Sequence, residues 1–176
     1  MKEQVSLRQE TQTDYSYVFE INCIAFGRKS EANLVAALRN NPTVFVPELS
    51  IVATENDKIV GHILLTKLGI RDKKGNLHKS LGLAPMAVLP EYQKRGIGTQ
   101  LIKQGLSVAK KLGFKSVIVL GHEHYYPKFG FEPAKKWNIK APFEVPSNVF
   151  MAIELVVDGL KDVSGTVVYP EEFESV

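Results

Sequence analysis

The chain has 176 residues, 44% of them hydrophobic and 23% charged, a balance that excludes a largely disordered protein. Its single cysteine, Cys23, excludes an intrachain disulfide scaffold and fits the reducing cytoplasm, where we expect the protein. The net charge of +3 is too small to indicate a nucleic-acid-binding protein.

We expect one domain over residues 1–176, because this length matches a single folding unit. No apolar run approaches the ~18 residues that a membrane span needs, and the polar N-terminus lacks the apolar stretch of a secretion signal. We therefore expect no membrane partner. The tail, residues 171–176, is expected to be loose.

The first part of the chain predicts one short strand and two helices. Residues 7–10 have the pattern of a strand, and apolar side chains at helical spacing over 18–25 predict a helix that Gly27 ends. A second helix is predicted over 31–39, where Asn40 and the residues after it stop the pattern.

The middle of the chain predicts strands and one long helix. Residues 50–54 and 58–68 are predicted to form a hairpin, followed by a third strand over 77–89. A helix over 96–112 then leads into a strand over 114–120. The helix carries a glycine, Gly105, on the same face as the apolar side chains of Ile97, Leu101, Val108 and Leu112.

Residues 150–156 and 166–169 complete the predicted strands. Hairpins combined with one strand–helix–strand unit predict an α+β fold, with a mixed sheet and helices on both of its faces. The apolar run over 117–120 is typical of a central strand that is covered on both sides. Gly105 then favours close packing of the long helix against this sheet.

The densest functional signal is the turn that opens the long helix, residues 93–99 (QKRGIGT). Amides in the first turn of a helix have no partner within the helix, and the helix dipole adds partial positive charge there. Gly96 and Gly98 let a ligand approach the backbone, while Lys94 and Arg95 add full charge. The turn indicates a phosphate or pyrophosphate site, and a tight turn with a solvated basic face is the alternative.

Two common nucleotide-binding motifs do not match the sequence. A dinucleotide fingerprint needs a third glycine where this chain has Leu101, and the P-loop pattern occurs nowhere. The turn instead resembles the acetyl-CoA signature [RQ]-x-x-G-x-[GA] of the GCN5-related N-acetyltransferase (GNAT) superfamily. Residues 126–131 (YPKFGF) resemble that family's later Y-x-x-x-G-F segment, and nearly the whole chain is similar to a bacterial subgroup of predicted N-acetyltransferases.

The resemblance implies a mostly antiparallel, twisted sheet that splays at its central strands to admit acetyl-CoA, the implied cosubstrate. Its pyrophosphate would lie on the glycine turn and its pantetheine arm beside the strand that precedes the turn. The residues expected to bind it are Met86, Ala87, Val88, Gln93, Lys94, Arg95, Gly96, Ile97, Gly98 and Thr99.

The resemblance also implies catalytic roles. Tyr126 aligns with the tyrosine that commonly acts as general acid on the coenzyme A sulfur, and a phenol of pKa ≈ 10 is protonated at neutral pH. Tyr125 is the alternative acid or a wall of the substrate pocket. The backbone amide of Ala87 or Val88 is the expected donor to the oxyanion.

The general base is the least defined role. Many relatives place a glutamate on the strand before the turn, but residues 81–89 contain no acid. His122 and Glu123 follow a predicted central strand and are the nearest candidates, with Glu31 and His62 further away in sequence. A chain of water molecules, with the amine deprotonated before it binds, is also open.

The acceptor implied is a primary amine of a small molecule or peptide, with Glu31 and Phe26 as candidate substrate-binding residues. A non-catalytic domain that binds or senses acyl-CoA is the alternative, which the missing glutamate favours. The histidines show no metal-ligand spacing, so no metal is expected. By analogy with the family, a homodimer is plausible.

Overall fold

The computed structural model describes residues 4–176, so residues 1–3 of the predicted domain lie outside the description. The described helices are α1 (Tyr15–Phe26), α2 (Ser30–Arg39) and α3 (Ile97–Lys111). The described strands form one sheet and are β1 (Ser6–Gln9), β2 (Ser50–Glu55), β3 (Lys58–Arg71), β4 (Leu77–Val88), β5 (Ser116–Leu120), β6 (Glu132–Pro133), β7 (Ile139–Lys140), β8 (Phe150–Glu154) and β9 (Gly165–Val168).

The strand order is β1-β2-β3-β4-β5-β8-β6, while β9 pairs with the far end of β3 and β7 pairs with β9. Neighbours are antiparallel except for β4 with β5 and β7 with β9, which are parallel. The predicted mixed, mostly antiparallel sheet is therefore confirmed.

The sheet splays between β4 and β5. Gly82 of β4 and Ile118 of β5 are the one pair of residues that bridges these two strands, whereas β4 stays paired with β3 as far as Val88. Met86 pairs with Ile63 on β3, but the next recorded pair joins Leu83 to Leu65, so β4 bulges between them. From residue 83 onward, the β4 edge that faces β5 has no strand partner within the described sheet.

Helices cover both faces of the sheet, as predicted. On one face α1 and α2 pack against the side chains of Val52, Leu64 and Ala87. On the other face α3 packs against a second core that includes Ile63 and Leu65. A Cβ on Gly105 would lie 2.9 Å from the Leu65 Cδ1 atom, so this glycine permits the close approach of α3.

One glycine ends the first helix and another begins the third. Gly27 ends α1 in the left-handed region, at φ 67°, and the chain then turns into α2 within three residues. Gly96, at φ 81°, is the N-cap of α3. Both positions require backbone that side-chain-bearing residues rarely adopt.

The tail does not fit the expectation of a loose segment. Residues Glu171–Ser175 form a 3₁₀ helix, and the Asn41 side-chain amide donates to the Glu172 carboxylate at 2.6 Å. Phe173 packs against the core beneath α1 and α2. The expectation of a loose tail was wrong, because the half-buried ring of Phe173 and the Asn41–Glu172 hydrogen bond hold the segment against the core.

Candidate active site

The glycine turn brings two left-handed residues close together. Lys94 has φ 62° and Gly96 has φ 81°. Backbone that alternates in this way turns successive N–H groups toward one concavity, which suits an anion. A Cβ on Gly98 would lie 2.9 Å from the Tyr125 hydroxyl and 3.5 Å from the Met86 Cε atom, so the missing side chain lets Tyr125 and Met86 approach the turn closely.

The two basic residues of the turn differ in their surroundings. Lys94 is exposed. The Arg95 guanidinium forms an ion pair with the buried carboxylate of Glu55, and its Cζ atom lies 5.2 Å from the centre of the Tyr92 ring. Lys94 is therefore accessible to an anion, whereas the charge of Arg95 is balanced within the protein.

Several predicted cofactor residues support the turn instead of lining it. The Gln93 side-chain amide donates to the Val88 carbonyl at 3.0 Å, which ties the turn to the end of β4. Ile97 and Ala87 are buried, Ile97 in the core beneath α3 and Ala87 in the core beneath α1 and α2. Thr99 is half-buried in the first turn of α3. These residues could meet a ligand through their backbone atoms.

A pocket of about 440 Å³ opens where β4 and β5 diverge. Its floor consists of β4 residues 82–86 with Ile118 and Leu120 of β5. Its walls come from four further parts of the chain and comprise Phe26, Arg28, Glu31, Leu34, Tyr126, Phe143, Tyr169, Phe173 and Val176. The pocket therefore assembles residues that are far apart in sequence.

Tyr126 is one of two wall residues, with Tyr169, whose phenol can donate a proton. A Cβ on Gly121 would lie 2.2 Å from the Tyr126 Cε2 atom, so the ring rests directly on this glycine. The ring of Phe131 packs edge-on at 5.6 Å between centroids. Burial, together with the neighbouring Tyr125, raises the pKa of Tyr126 to about 12. The phenol therefore keeps its proton at neutral pH.

Tyr125 points elsewhere. Its ring packs edge-on to Tyr126 at 5.2 Å and to Phe129 at 5.4 Å, and its hydroxyl lies over Gly98 in the glycine turn. It is absent from the pocket lining. The two adjacent tyrosines therefore divide between the turn and the pocket.

The predicted bases beside β5 lie away from the pocket lining. His122 is exposed, and its Nδ1 atom lies 3.3 Å from the backbone nitrogen of His124. The Glu123 carboxylate accepts a hydrogen bond from the Asn148 side chain and lies 3.4 Å from the His124 ring nitrogen. Neither side chain is brought together with Tyr126 in the pocket.

His62 is buried among structural partners. Its Nε2 atom shares a hydrogen bond with the Ser50 hydroxyl at 2.9 Å, and it lies 3.8 Å from the Glu10 carboxylate, which pairs with Arg39. Desolvation, with a smaller contribution from Arg39, lowers the pKa of His62 to about 3. The ring is neutral and lies outside the pocket lining.

Both predicted substrate residues, Phe26 and Glu31, line the pocket. The Glu31 carboxylate is buried and accepts hydrogen bonds from the Arg28 Nε atom at 3.0 and 3.1 Å and from Nη2. These bonds hold the pKa of Glu31 below its usual range. Glu31 is thus a charged partner of Arg28 and a poor proton acceptor at neutral pH.

Several lining residues were not named as site candidates from the sequence, among them Arg28, Tyr169, Phe173 and Val176. Burial raises the pKa of Tyr169 to about 12, and its ring stacks on Phe143 at 6.1 Å between centroids. No local motif connects these residues, since the fold alone brings the tail beside the start of α2.

Residues 4–176 contain no cluster of three or more His, Cys, Asp or Glu that could hold a metal ion. The helices in the same range are too short or too polar to cross a membrane.

Comparison with known sequences adds to this geometry. A family model described as an acetyltransferase (GNAT) domain matches residues 47–133. The chain is also 42% identical to the uncharacterized N-acetyltransferase YjhQ of Escherichia coli strain K12 over 137 residues, which are 76% of this chain and 74% of that protein.

Two solved structures share the fold over nearly the whole chain. A GNAT family N-acetyltransferase from Escherichia coli, YhbS, in complex with CoA superposes with a TM-score of 0.90 at 27% identity, covering 99% of this chain and 94% of that one. A GNAT family acetyltransferase from Brucella melitensis in complex with acetyl-CoA gives a TM-score of 0.79 at 27% identity, covering 98% and 99%.

Proposed function

The chain belongs to the GNAT family of N-acetyltransferases, and from this premise we propose that it transfers the acetyl group of acetyl-CoA to a primary amine by direct attack. The observation that carries the proposal is the position of Met86. This side chain lies beside Gly98 of the glycine turn and also lines the pocket that holds Tyr126. A thioester lying along the open edge of β4 would reach both places.

The proposed cosubstrate site uses mainly backbone groups. The amides of Arg95, Gly96, Gly98 and Thr99 would bind the pyrophosphate, with Lys94 adding charge. The pantetheine arm would pair with the unpartnered edge of β4 over 86–88 as an additional strand does. Relatives described as complexes with CoA and acetyl-CoA support this choice of ligand.

The proposed reaction needs one protein side chain at the leaving group. The neutral amine attacks the thioester carbonyl carbon, and a backbone amide of Ala87 or Val88 donates to the oxyanion. When the carbon–sulfur bond breaks, the Tyr126 hydroxyl gives its proton to the thiolate, and solvent returns a proton to the phenolate. The attacking nitrogen loses its extra proton to water.

Water is the proposed proton acceptor because the described pocket offers no better one. His122, Glu123 and His62 lie outside its lining, and the Glu31 carboxylate is held by Arg28. The same observation favours the second candidate function, a domain that binds acyl-CoA without catalysis.

The first test is a calorimetric titration with acetyl-CoA, followed by thiol release across a panel of primary amines. Saturable binding with turnover of at least one amine is the expected result. Binding without turnover of any amine, together with no effect of Tyr126→Phe, would support the sensing domain. Folded protein that does not bind acetyl-CoA at low salt would overturn both functions.

A further inference from the structure

The acceptor pocket has a chemical character that narrows its substrate. Its lining is largely apolar and aromatic, with Phe26, Leu34, Phe143 and Phe173 among the walls. Among the described lining residues, Arg28 and Glu31 are the ones with charged side chains. The charge that side chains place in the pocket therefore depends on how these two are arranged.

The pair presents its positive end to solvent. The side chain of Arg28 is 60% exposed, whereas that of Glu31 is 7% exposed. Glu31 engages the guanidinium from the side, through Nε and Nη2. The Arg28 Nη1 atom makes no hydrogen bond to any group within residues 4–176. Its N–H groups and the second N–H of Nη2 remain available, and this outer edge of a guanidinium matches a carboxylate in bidentate geometry.

Among the described side chains that line the pocket, a cationic group of the substrate has no comparable partner. The Glu31 carboxylate already accepts three hydrogen bonds from Arg28, so an ammonium group would have to displace a guanidinium from a buried acid. The phenols of Tyr126 and Tyr169 are held neutral by burial. An apolar lining also favours the uncharged form of the amine, which is the form that attacks a thioester.

We propose, on the basis of the acetyltransferase function above, that the acceptor is an apolar amine that also carries a carboxylate, and that Arg28 binds this carboxylate. Apolar amino acids have this chemistry. The carboxylate lies on the outer edge of the guanidinium, the apolar part of the acceptor contacts the aromatic walls, and the amino group faces Tyr126. Glu31 acts as a positioning residue that fixes the guanidinium at the start of α2.

Matched pairs of amines test the carboxylate directly. Protein saturated with CoA is titrated with phenylalanine and with phenethylamine, and then with 6-aminohexanoate and with hexylamine. We expect at least one carboxylated member to bind ten-fold or more tightly than its partner, about the difference that hydrogen bonds to a charged group produce. Equal binding within both pairs, or no binding by any of the four compounds, would overturn the proposal.

Variants then show whether Arg28 is responsible. Arg28→Ala should reduce the ratio of kcat/KM for the carboxylated amine over its partner to near one, and Arg28→Lys should restore part of it, since lysine keeps the charge and loses the planar fork. Arg71→Ala removes an exposed arginine outside the pocket lining and should leave the ratio unchanged. A ratio that survives Arg28→Ala contradicts the assignment.

The titration with acetyl-CoA separates this inference from the proposed function. Protein that binds acetyl-CoA and acetylates amines equally well with and without a carboxylate would support the proposed function and contradict the inference. Protein that does not bind acetyl-CoA contradicts the proposed function, whether or not it binds the amines.

Discussion

The two halves of the candidate site are built in different ways. The glycine turn is a run of neighbouring residues, 93–99, that offers backbone amides in left-handed geometry. The pocket proposed to hold the acceptor collects side chains from the start of α2, from β4 and β5, from Tyr126 and from the tail. A binding site made of backbone leaves a compact signature in the sequence, whereas one made of distant side chains leaves none. The variants below separate the two halves.

The largest effect is expected at the turn. Gly96→Glu places a side chain and a negative charge on a backbone with φ 81°, where the phosphates are proposed to lie. We expect acetyl-CoA affinity to fall by about 100-fold or more, because both shape and charge then oppose the anion. Calorimetric titration measures this loss.

Gly75→Glu is the matched control for this variant. Gly75 also has positive φ, at 86°, and open space where a Cβ would be, but it lies in the turn between β3 and β4. It should carry similar backbone strain and the same charge change without loss of affinity. Equal losses in the two variants would mean that strain, and not the site, controls binding.

Tyr126→Phe tests the pocket without altering the turn. We expect kcat to fall by about 100-fold, because the thiolate loses its proton donor, while the affinity for acetyl-CoA stays the same. Tyr125→Phe removes the neighbouring hydroxyl beside Gly98 and should leave kcat within a few-fold of the parent. A larger effect at Tyr125 would exchange the proposed roles of the two tyrosines.

The pH profile sharpens the assignment of Tyr126. Its pKa is raised to about 12, so the phenol stays protonated through pH 10 and its loss of a proton cannot lower the rate there. The amine gains reactivity as it loses its own proton with rising pH. We therefore expect kcat/KM to rise from pH 7 to 10 without a falling limb, and a fall centred below pH 10 would argue against Tyr126.

The tail tests the other wall of the pocket. Phe173→Ala removes a ring that lines the pocket and packs beneath α1 and α2. We expect the KM for the amine to rise about ten-fold with little change in acetyl-CoA affinity, because the wall contacts the acceptor alone. Phe173→Leu keeps an apolar side chain and should recover most of the difference. Parallel losses of acceptor and cosubstrate binding would show that the two halves are coupled.

The smallest effect is expected at Lys94. This exposed side chain adds charge to a site that the backbone defines, so Lys94→Ala should weaken acetyl-CoA binding by about three-fold at low salt and less at high salt. Lys73→Ala removes an exposed lysine from the turn between β3 and β4 and serves as the control. A loss at Lys94 that does not depend on salt would point to a shape effect.

The fold could be predicted where local pattern and tertiary structure agree. The long helix, its glycine turn and the strand on each side followed from spacing and turn residues alone, and the actual helix covers Ile97–Lys111. The prediction of which residues form the inner face of that helix was only partly correct. Leu112, predicted to be inside, is 44% exposed, because the helix ends there, while Ile102 and Ala109 occupy the core.

The acceptor side could be predicted only in part, since its contacts are long-range. The sequence analysis named Glu31 and Phe26 as substrate-binding candidates, and both line the pocket. It did not name Arg28, whose guanidinium pairs with the Glu31 carboxylate. Nothing near Phe173 in the sequence indicates that it meets α2. Partners separated by most of the chain leave no periodic signal, so they require the fold itself.

The splay between β4 and β5 reverses a common expectation for hydrogen exchange. The amides at the centre of a sheet usually exchange slowest, because neighbouring strands hold them on both sides. Here an edge without a strand partner lies inside the sheet, on β4 beyond Leu83, with β5 and β8 continuing past it. In ligand-free protein these central amides should exchange with deuterium nearly as fast as those of a peripheral strand, and acetyl-CoA should slow them. The amides that acetyl-CoA protects would then show where the pantetheine arm lies along the strand. The experiment needs no acceptor amine and no turnover.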